Sequence, residues 1–220
     1  MTDLRAARER MVAEQLSGRG MSDARVLDAM RTLPREEFLP PDQRIYAYED
    51  RPLPIGWGQT ISQPYIVARM LELAHPGERD SVLEVGVGCG YALGVMARLS
   101  RQVFGVEIVP ELAERAQKNL AALAIGNAIV VCRDGTLGWP EHEPYDAIVV
   151  SAGAPRVPAL LLAQLADGGR LVIPVGEREH QKLIVVERRG AEFVTHSATQ
   201  VRFVDLTGRY GWGGAGPPQA

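Results

Sequence analysis

The sequence contains little that would suit a disulfide-linked, membrane-spanning or strongly basic protein. Only two of its 220 residues are cysteines, Cys89 and Cys132, which are too few for a disulfide framework and indicate a reducing, cytoplasmic compartment. No apolar run approaches the roughly 20 residues that cross a bilayer, and the charged N-terminus lacks the apolar core of a signal peptide. With 24 Lys plus Arg against 27 Asp plus Glu, the formal net charge is -3, so neither a membrane nor a nucleic acid is an expected partner.

The pattern along the chain predicts one domain, 1–220, with a helical cap in front of a larger core. Apolar residues recur at helical spacing in a first helix, at Leu4, Ala7, Met11 and Leu16. Ser22 is the expected N-cap of a second helix that Pro34 ends, and 38–63 is expected to be irregular. The core is expected over 64–206 and a C-terminal tail over 207–220.

Short β-branched apolar runs alternate with helix-length segments through the core. The expected buried strands are 82–87, 103–108, 128–131, 147–150 and 171–175, and the expected helices are 91–99, 111–123 and 157–165. Strands that are apolar on both faces and alternate with helices indicate a parallel sheet covered on both sides. Two further strands, 182–187 and 192–206, follow without helices and are expected as an antiparallel edge. The sequence therefore predicts a doubly wound α/β fold with a mostly parallel, seven-stranded sheet.

A glycine-rich turn directly follows the first core strand. The run Glu84-Val85-Gly86-Val87-Gly88-Cys89-Gly90 places three glycines where doubly wound sheets bind nucleoside-containing ligands. A plain turn that uses glycine only for its positive φ is the alternative. The dinucleotide pattern G-x-G-x-x-G is not met, because Tyr91 stands where the last glycine belongs, and this argues against NAD.

Acidic residues follow the next two strands. Glu107, with Ile108 beside it, comes 107 - 86 = 21 positions after Gly86 and is placed to accept hydrogen bonds from ribose hydroxyls. Asp134-Gly135 could receive an adenine amino group, although an ordinary Asp-Gly turn is an equal alternative. Taken in order, these features match the pattern of S-adenosylmethionine (SAM) methyltransferases, whose product is S-adenosylhomocysteine, and predict a Rossmann-like fold of that type.

The loop before the core resembles the signature of protein-L-isoaspartate O-methyltransferases. Residues 50–64 read DRPLPIGWGQTISQP, a run that generic methyltransferases do not carry. Further similarities to the family occur at Arg19-Gly20, Pro34-Arg35, Gly138-Trp139, 144–148, Gln164-Leu165, 168–176 and 202–204. The resemblance therefore covers nearly the whole chain.

The resemblance implies a repair enzyme that methylates the free carboxylate of L-isoaspartyl residues in damaged proteins or peptides. The methyl ester then leaves through a succinimide, whose hydrolysis restores some normal aspartate. By resemblance Ser62 is the active-site residue, whose hydroxyl orients the acceptor carboxylate, with Thr60 and Ile61 adding substrate contacts. From spacing alone, Ser62 is more simply an N-cap of a helix that begins near Pro64. The cofactor residues implied by the motifs are Glu84, Gly86, Gly88, Cys89, Gly90, Glu107, Ile108, Asp134 and Gly135.

Departures from the family pattern leave other functions open. Val87 and Cys89 replace hydroxyl residues common in relatives, and Asp205 stands where many have Pro. One alternative is a carboxyl methyltransferase for an aspartyl residue of a dedicated peptide or for a small acid. Another is a noncatalytic SAM-binding module, which would not need 50–64. We expect a monomer, and no metal site, because the four histidines lack ligand spacing.

Overall fold

A seven-stranded sheet forms the centre of the computed structural model, which describes residues 3–213. The strands lie in the order β5-β4-β3-β6-β7-β8-β9. They are β3 (Ser81–Val85), β4 (Gln102–Glu107), β5 (Ala128–Cys132), β6 (Tyr145–Val150), β7 (Leu165–Glu177), β8 (His180–Arg189) and β9 (Glu192–Val201). The pairs from β5 to β7 are parallel, whereas β7–β8 and β8–β9 are antiparallel. The predicted mostly parallel sheet with an antiparallel edge is confirmed.

The helices cover both faces of this sheet. They are α1 (Leu4–Arg10), α2 (Ala24–Thr32), α3 (Pro64–Ala74), α4 (Tyr91–Ala97), α5 (Pro110–Ala122) and α6 (Ala159–Ala163). Successive strand residues belong to different apolar clusters: Val82 packs with the cap and α2 to α5, while Leu83 packs with α6. This alternation explains why the strands are apolar throughout.

The N-terminal cap differs from its predicted details. α1 continues through a π-helical turn, Met11–Leu16, and a short 3-10 turn before the chain reverses at Gly20, whose φ is +88°. The predicted cap Ser22 is wrong, because Asp23 is the N-cap of α2 and accepts a hydrogen bond from the amide of Arg25. Ser22 instead donates its amide to Glu72, with a distance of 2.9 Å.

The segment 38–63, expected to be irregular, contains a β-hairpin. Its strands are β1 (Leu53–Gly56) and β2 (Gln59–Ile61), joined through Trp57 and Gly58, which both have positive φ. Arg115 of α5 holds the hairpin by donating to the carbonyl of Ile55 at 2.6 Å. The hairpin therefore lies at the same side of the molecule as the glycine turn that α5 also contacts.

The C-terminal elements differ in length from the prediction. β7 and β8 extend beyond the expected strands 171–175 and 182–187, whereas two other elements are shorter. The expected helix 157–165 is reduced to α6, because Leu165 already begins β7, and the expected strand 192–206 ends at Val201. Residues beyond it cross the strand ends, where Leu206 donates to the carbonyl of Gly153 at 2.8 Å. Of the predicted tail, 207–213 packs on the domain, with Trp212 Nε1 donating to Gly153 at 2.9 Å. Residues 214–220 of that tail lie outside the described residues.

Candidate active site

The glycine turn lies at the carboxyl end of β3, next to the point where the chain crosses from one side of the sheet to the other. Gly86, Gly88 and Gly90 all have positive φ, a backbone conformation that residues other than glycine rarely adopt. At Gly88 a Cβ would also lie 3.1 Å from Ile55 Cδ1, and at Gly90 it would lie 3.2 Å from Ala116 Cβ. The turn therefore needs glycine both for its conformation and for its close packing.

Glu84 is a buried carboxyl group directly before this turn. Its side chain is 1% exposed, and its Oε1 accepts a hydrogen bond from the Ser151 hydroxyl at 2.8 Å. Its Oε2 is buried and has no hydrogen-bond partner within residues 3–213. Burial raises the pKa of the Glu84 carboxyl to about 8, and the negative charge of Glu107 acts in the same direction. An orphaned acidic oxygen at the end of a central strand suits a cationic ligand group.

Glu107 ends β4 and is held by the backbone on both oxygens. Its Oε2 accepts from the amide of Gly88 at 2.7 Å, and its Oε1 accepts from the amide of Val109 at 2.9 Å. Each carboxylate oxygen has a second lone pair, so the group can still accept from a ligand. These contacts fix the predicted ribose acceptor against the glycine turn.

Asp134, the predicted acceptor for an adenine amino group, also makes hydrogen bonds within the protein. Its Oδ1 accepts from the amide and the hydroxyl of Thr136, and its Oδ2 accepts from the amide of Arg209 at 2.7 Å. The carboxylate thus caps a short turn and fastens the segment after Leu206. Gly135, rather than Asp134, lies on the neighbouring cavity wall.

Ser62 follows the hairpin and precedes α3. The N-cap of α3 is Gln63, which makes no side-chain capping bond, so the simpler reading of Ser62 as an N-cap is wrong. Asp50 instead caps the start of α3 from a distant position, because its Oδ1 accepts a hydrogen bond from the amide of Tyr65 at 3.3 Å. The carbonyl of Ser62 accepts from Arg35 Nη2 at 2.8 Å.

Three cavities meet around Thr60 and Ser151, close to Ser62. We name them the inner cavity, the strand-end cleft and the outer groove. The inner cavity is lined by the glycine turn, Glu84, Tyr91 and apolar residues of α3. The strand-end cleft lies between Glu107 and the segment 204–207. The outer groove runs from Pro52 to Arg202.

Ser62 borders the inner cavity and the outer groove, while Thr60 and Ser151 border all three spaces. The structure thus brings most of the predicted site residues together. Those on the walls are Thr60, Ile61, Ser62, Glu84, Gly86, Gly88, Cys89, Glu107, Ile108 and Gly135. Gly90 and Asp134 are not on these walls.

Ser151 is a site residue that the sequence reasoning missed. It follows β6, the strand beside β3 in the sheet, so its position after a central strand was the available signal. The segment 204–207 was also missed, since it was assigned partly to a strand and partly to a tail. Among residues 3–213 there is no cluster of three or more His, Cys, Asp or Glu that could hold a metal ion. In the same part of the chain, every helix is too short or too polar to cross a membrane.

Comparison with known proteins identifies the family of this chain. The sequence model of the family "Protein-L-isoaspartate(D-aspartate) O-methyltransferase (PCMT)" matches residues 6–211. Protein-L-isoaspartate O-methyltransferase 2 of Marinobacter nauticus is 53% identical over 212 residues, which cover 96% of this chain and 97% of the relative. Protein-L-isoaspartate O-methyltransferase 1 of Syntrophobacter fumaroxidans is 50% identical over 215 residues, 97% of this chain and 100% of the relative.

Solved structures show the same similarity. A protein-L-isoaspartate O-methyltransferase superimposes with a TM-score of 0.84 at 34% identity, covering 93% of this chain and 67% of the other. A Plasmodium falciparum protein described as a beta-aspartate methyltransferase, in complex with S-adenosyl-L-homocysteine, gives a TM-score of 0.79 at 25% identity. That match covers 94% of this chain and 99% of the other.

Proposed function

The chain belongs to the protein-L-isoaspartate(D-aspartate) O-methyltransferase family, and we propose that it methylates the free carboxylate of L-isoaspartyl residues in damaged proteins and peptides. Its methyl donor is SAM. The observation that carries the proposal is the place of Ser62, on the border between the inner cavity and the outer groove. A donor held beside the glycine turn and an acceptor entering through the groove would meet at this residue.

The chain's own residues fit the cofactor. The glycine turn lets a ligand approach the backbone, and the orphaned Oε2 of Glu84 suits the ammonium of the amino-acid end. Glu107 suits the ribose hydroxyls, and Ile108 with Gly135 forms the wall beside it. When bound, SAM supplies an electrophilic methyl group on a positively charged sulfur.

The remaining task of the protein is to orient the acceptor. A carboxylate with an ordinary pKa of about 4 is ionised at neutral pH, so no general base is needed to make it a nucleophile. We assign to the Ser62 hydroxyl a hydrogen bond that orients this carboxylate, without a covalent intermediate. Ile61, Val67 and Leu71 are buried and line the inner cavity, so they exclude water from the place where opposite charges combine.

The outer groove favours a peptide over a small acid as the acceptor. It is far larger than the inner cavity, and it is lined by backbone and side chains on both sides of Ser62, from the hairpin and from 200–205. A small acid would need no such groove. We further propose that the enzyme works as a monomer in the cytoplasm, for which light scattering and localisation of the tagged chain are the tests.

The test is a panel of isoaspartyl peptides, matched aspartyl peptides and small acids, assayed for base-labile methyl ester with labelled SAM. We expect turnover of the isoaspartyl peptides and a fall of about 10- to 100-fold in kcat/KM for Ser62→Ala. Ser197→Ala is the matched control, because it makes the same chemical change at an exposed position on β9.

Affinity for S-adenosylhomocysteine separates the alternatives. We expect Ser62→Ala to change it by less than about threefold, since the residue acts on the acceptor. Binding of S-adenosylhomocysteine without turnover of any acid would instead identify a noncatalytic SAM-binding module. Turnover confined to aspartyl peptides or small acids would assign the chain another acceptor. Saturable binding of NADH would contradict the assignment of the cofactor.

A further inference from the structure

Within residues 3–213, Arg35 is among the largest side chains that are completely buried, although it carries a charge. It is the first residue of a short 3-10 turn of the N-terminal cap, Arg35–Phe38. Its Nε donates to the carbonyl of Ala47 at 2.8 Å, and its Nη2 donates to the carbonyl of Ser62 at 2.8 Å. Its Cζ lies 4.8 Å from the centre of the Tyr91 ring. One guanidinium therefore joins the cap, the Ser62 loop and the first residue of α4.

Burying the Arg35 guanidinium in this way costs more free energy than a purely structural role would require. Within residues 3–213 Arg35 forms no ion pair with a carboxylate, and its Nη1 is buried without a hydrogen-bond partner. Burial of a charge without a counter-ion costs several kcal/mol, and an apolar side chain of similar volume commonly fills such a place at lower cost. The contacts with two carbonyls and an aromatic face offset part of this cost.

The contact with Ser62 has a geometric consequence. A hydrogen bond to the carbonyl of Ser62 fixes the peptide plane after this residue, and hence its ψ angle and the direction of its Cα–Cβ bond. Tyr91 begins α4 directly after Gly90 and lines the inner cavity together with Ser62. Arg35 thus sets the position of Ser62 relative to the glycine turn, and not only its position within the cap.

We propose that Arg35 is a positioning residue for methyl transfer, whose guanidinium holds the Ser62 main chain so that the hydroxyl faces the acceptor carboxylate. This inference rests on the proposed function of Ser62. A planar fork that reaches two carbonyls at once is required, because the single ammonium of lysine cannot donate with the same geometry to both.

The test is a double-mutant cycle of Arg35→Met with Ser62→Ala, measured with an isoaspartyl peptide. We expect Arg35→Met to lower kcat about 10- to 100-fold, because small displacements of a positioning group have effects of that size. Affinity for S-adenosylhomocysteine should change by less than about threefold. In the Ser62→Ala background the same substitution should lower kcat less than about threefold, because the group through which it acts is gone. Arg35→Lys should resemble Arg35→Met.

Arg188→Met is the matched control. Arg188 also donates to main-chain carbonyls, those of Leu165 and Gly190, but it lies on none of the three cavity walls. It should keep the wild-type kcat, and circular dichroism and thermal unfolding should show all variants folded.

Three results would overturn the inference. Equal losses from Arg35→Met in the wild-type and Ser62→Ala backgrounds would show that Arg35 does not act through Ser62. Wild-type kcat in Arg35→Lys would show that charge without the fork is sufficient. Failure of both Arg35 variants to fold, with Arg188→Met folded, would assign Arg35 a structural role. By contrast, a Ser62→Ala variant as active as the wild type would contradict the proposed function itself.

Discussion

Protonation of Glu84 should make cofactor binding depend on pH in a range where free glutamate would not titrate. Burial raises the pKa of this carboxyl to about 8, with Glu107 adding to the rise, so Glu84 is mostly neutral at pH 7 in the protein alone. A cofactor ammonium beside the orphaned Oε2 would favour the ionised form. Binding at pH 7 must therefore release a proton from Glu84.

The size of the effect follows from linkage. At one pH unit below a pKa of about 8, about nine-tenths of the carboxyl groups are protonated, so binding releases about 0.9 proton. The dissociation constant of S-adenosylhomocysteine should then rise about tenfold between pH 7 and pH 6, which corresponds to about 1.4 kcal/mol. The ammonium of the ligand stays protonated across this range and does not contribute.

Isothermal titration calorimetry in two buffers with different ionisation enthalpies measures both quantities. Glu84→Gln should bind more weakly than the wild type at pH 7.5, release no proton and show little dependence on pH. The matched control is Glu192→Gln, an exposed change at the start of β9. A wild-type protein that releases no proton at pH 7, or a Glu84→Gln variant with the same tenfold dependence, would refute the pairing of Glu84 with the ligand.

Three further predictions concern stability, the turn and the groove. The folded protein binds a proton at Glu84 up to about pH 8, whereas the unfolded chain loses it near pH 4.5, so the free energy of unfolding should fall by roughly 3 kcal/mol between pH 5 and pH 8. Glu84→Gln should remove this fall, as thermal unfolding at the two pH values will show; equal falls in both proteins would contradict it. Gly90→Ala places an alanine at a φ of +94° with its Cβ 3.2 Å from Ala116 Cβ. The free energy of unfolding, measured with denaturant, should therefore fall by about 1–3 kcal/mol. An unchanged free energy of unfolding would mean that the turn relaxes. Asp205 pairs with Arg178 at 2.7 Å on the groove wall, so Asp205→Asn should lower the KM of an anionic isoaspartyl peptide about two- to fivefold at low salt, with less effect in 0.5 M NaCl; an effect that does not change with salt would exclude this electrostatic cause.

Much of the fold could be predicted because it is encoded locally. Val82 and Leu83 pack on opposite faces of one strand, and such doubly buried strands need apolar residues at every position. The glycine turn could also be predicted from the sequence, because few residues other than glycine tolerate a positive φ and such close packing. Ser62 was named by the resemblance of 50–64 and not by its spacing, which favoured an N-cap.

The hairpin shows where local patterns fail. β1 and β2 have only four and three residues, and β1 contains a proline and a glycine, which normally interrupt strands. Arg115 of α5 stabilises their pairing by donating a hydrogen bond to the carbonyl of Ile55, a residue 60 positions away in the sequence. The sequence of the segment 38–63 alone therefore gives no sign of this hydrogen bond, and the hairpin could not be predicted from it.

The chemistry of the site depended on contacts of this distant kind. Ser151 meets Glu84 across 67 positions, and Arg35 meets Ser62 across 27. Hydrophobic periodicity and turn chemistry describe the chain a few residues at a time, so they could place the strands, the glycine turn and the acidic strand ends. Which oxygen remains without a partner, and which cation holds the Ser62 loop, followed from the packing of the cap on the sheet, because burial and hydrogen bonding are properties of the assembled layers.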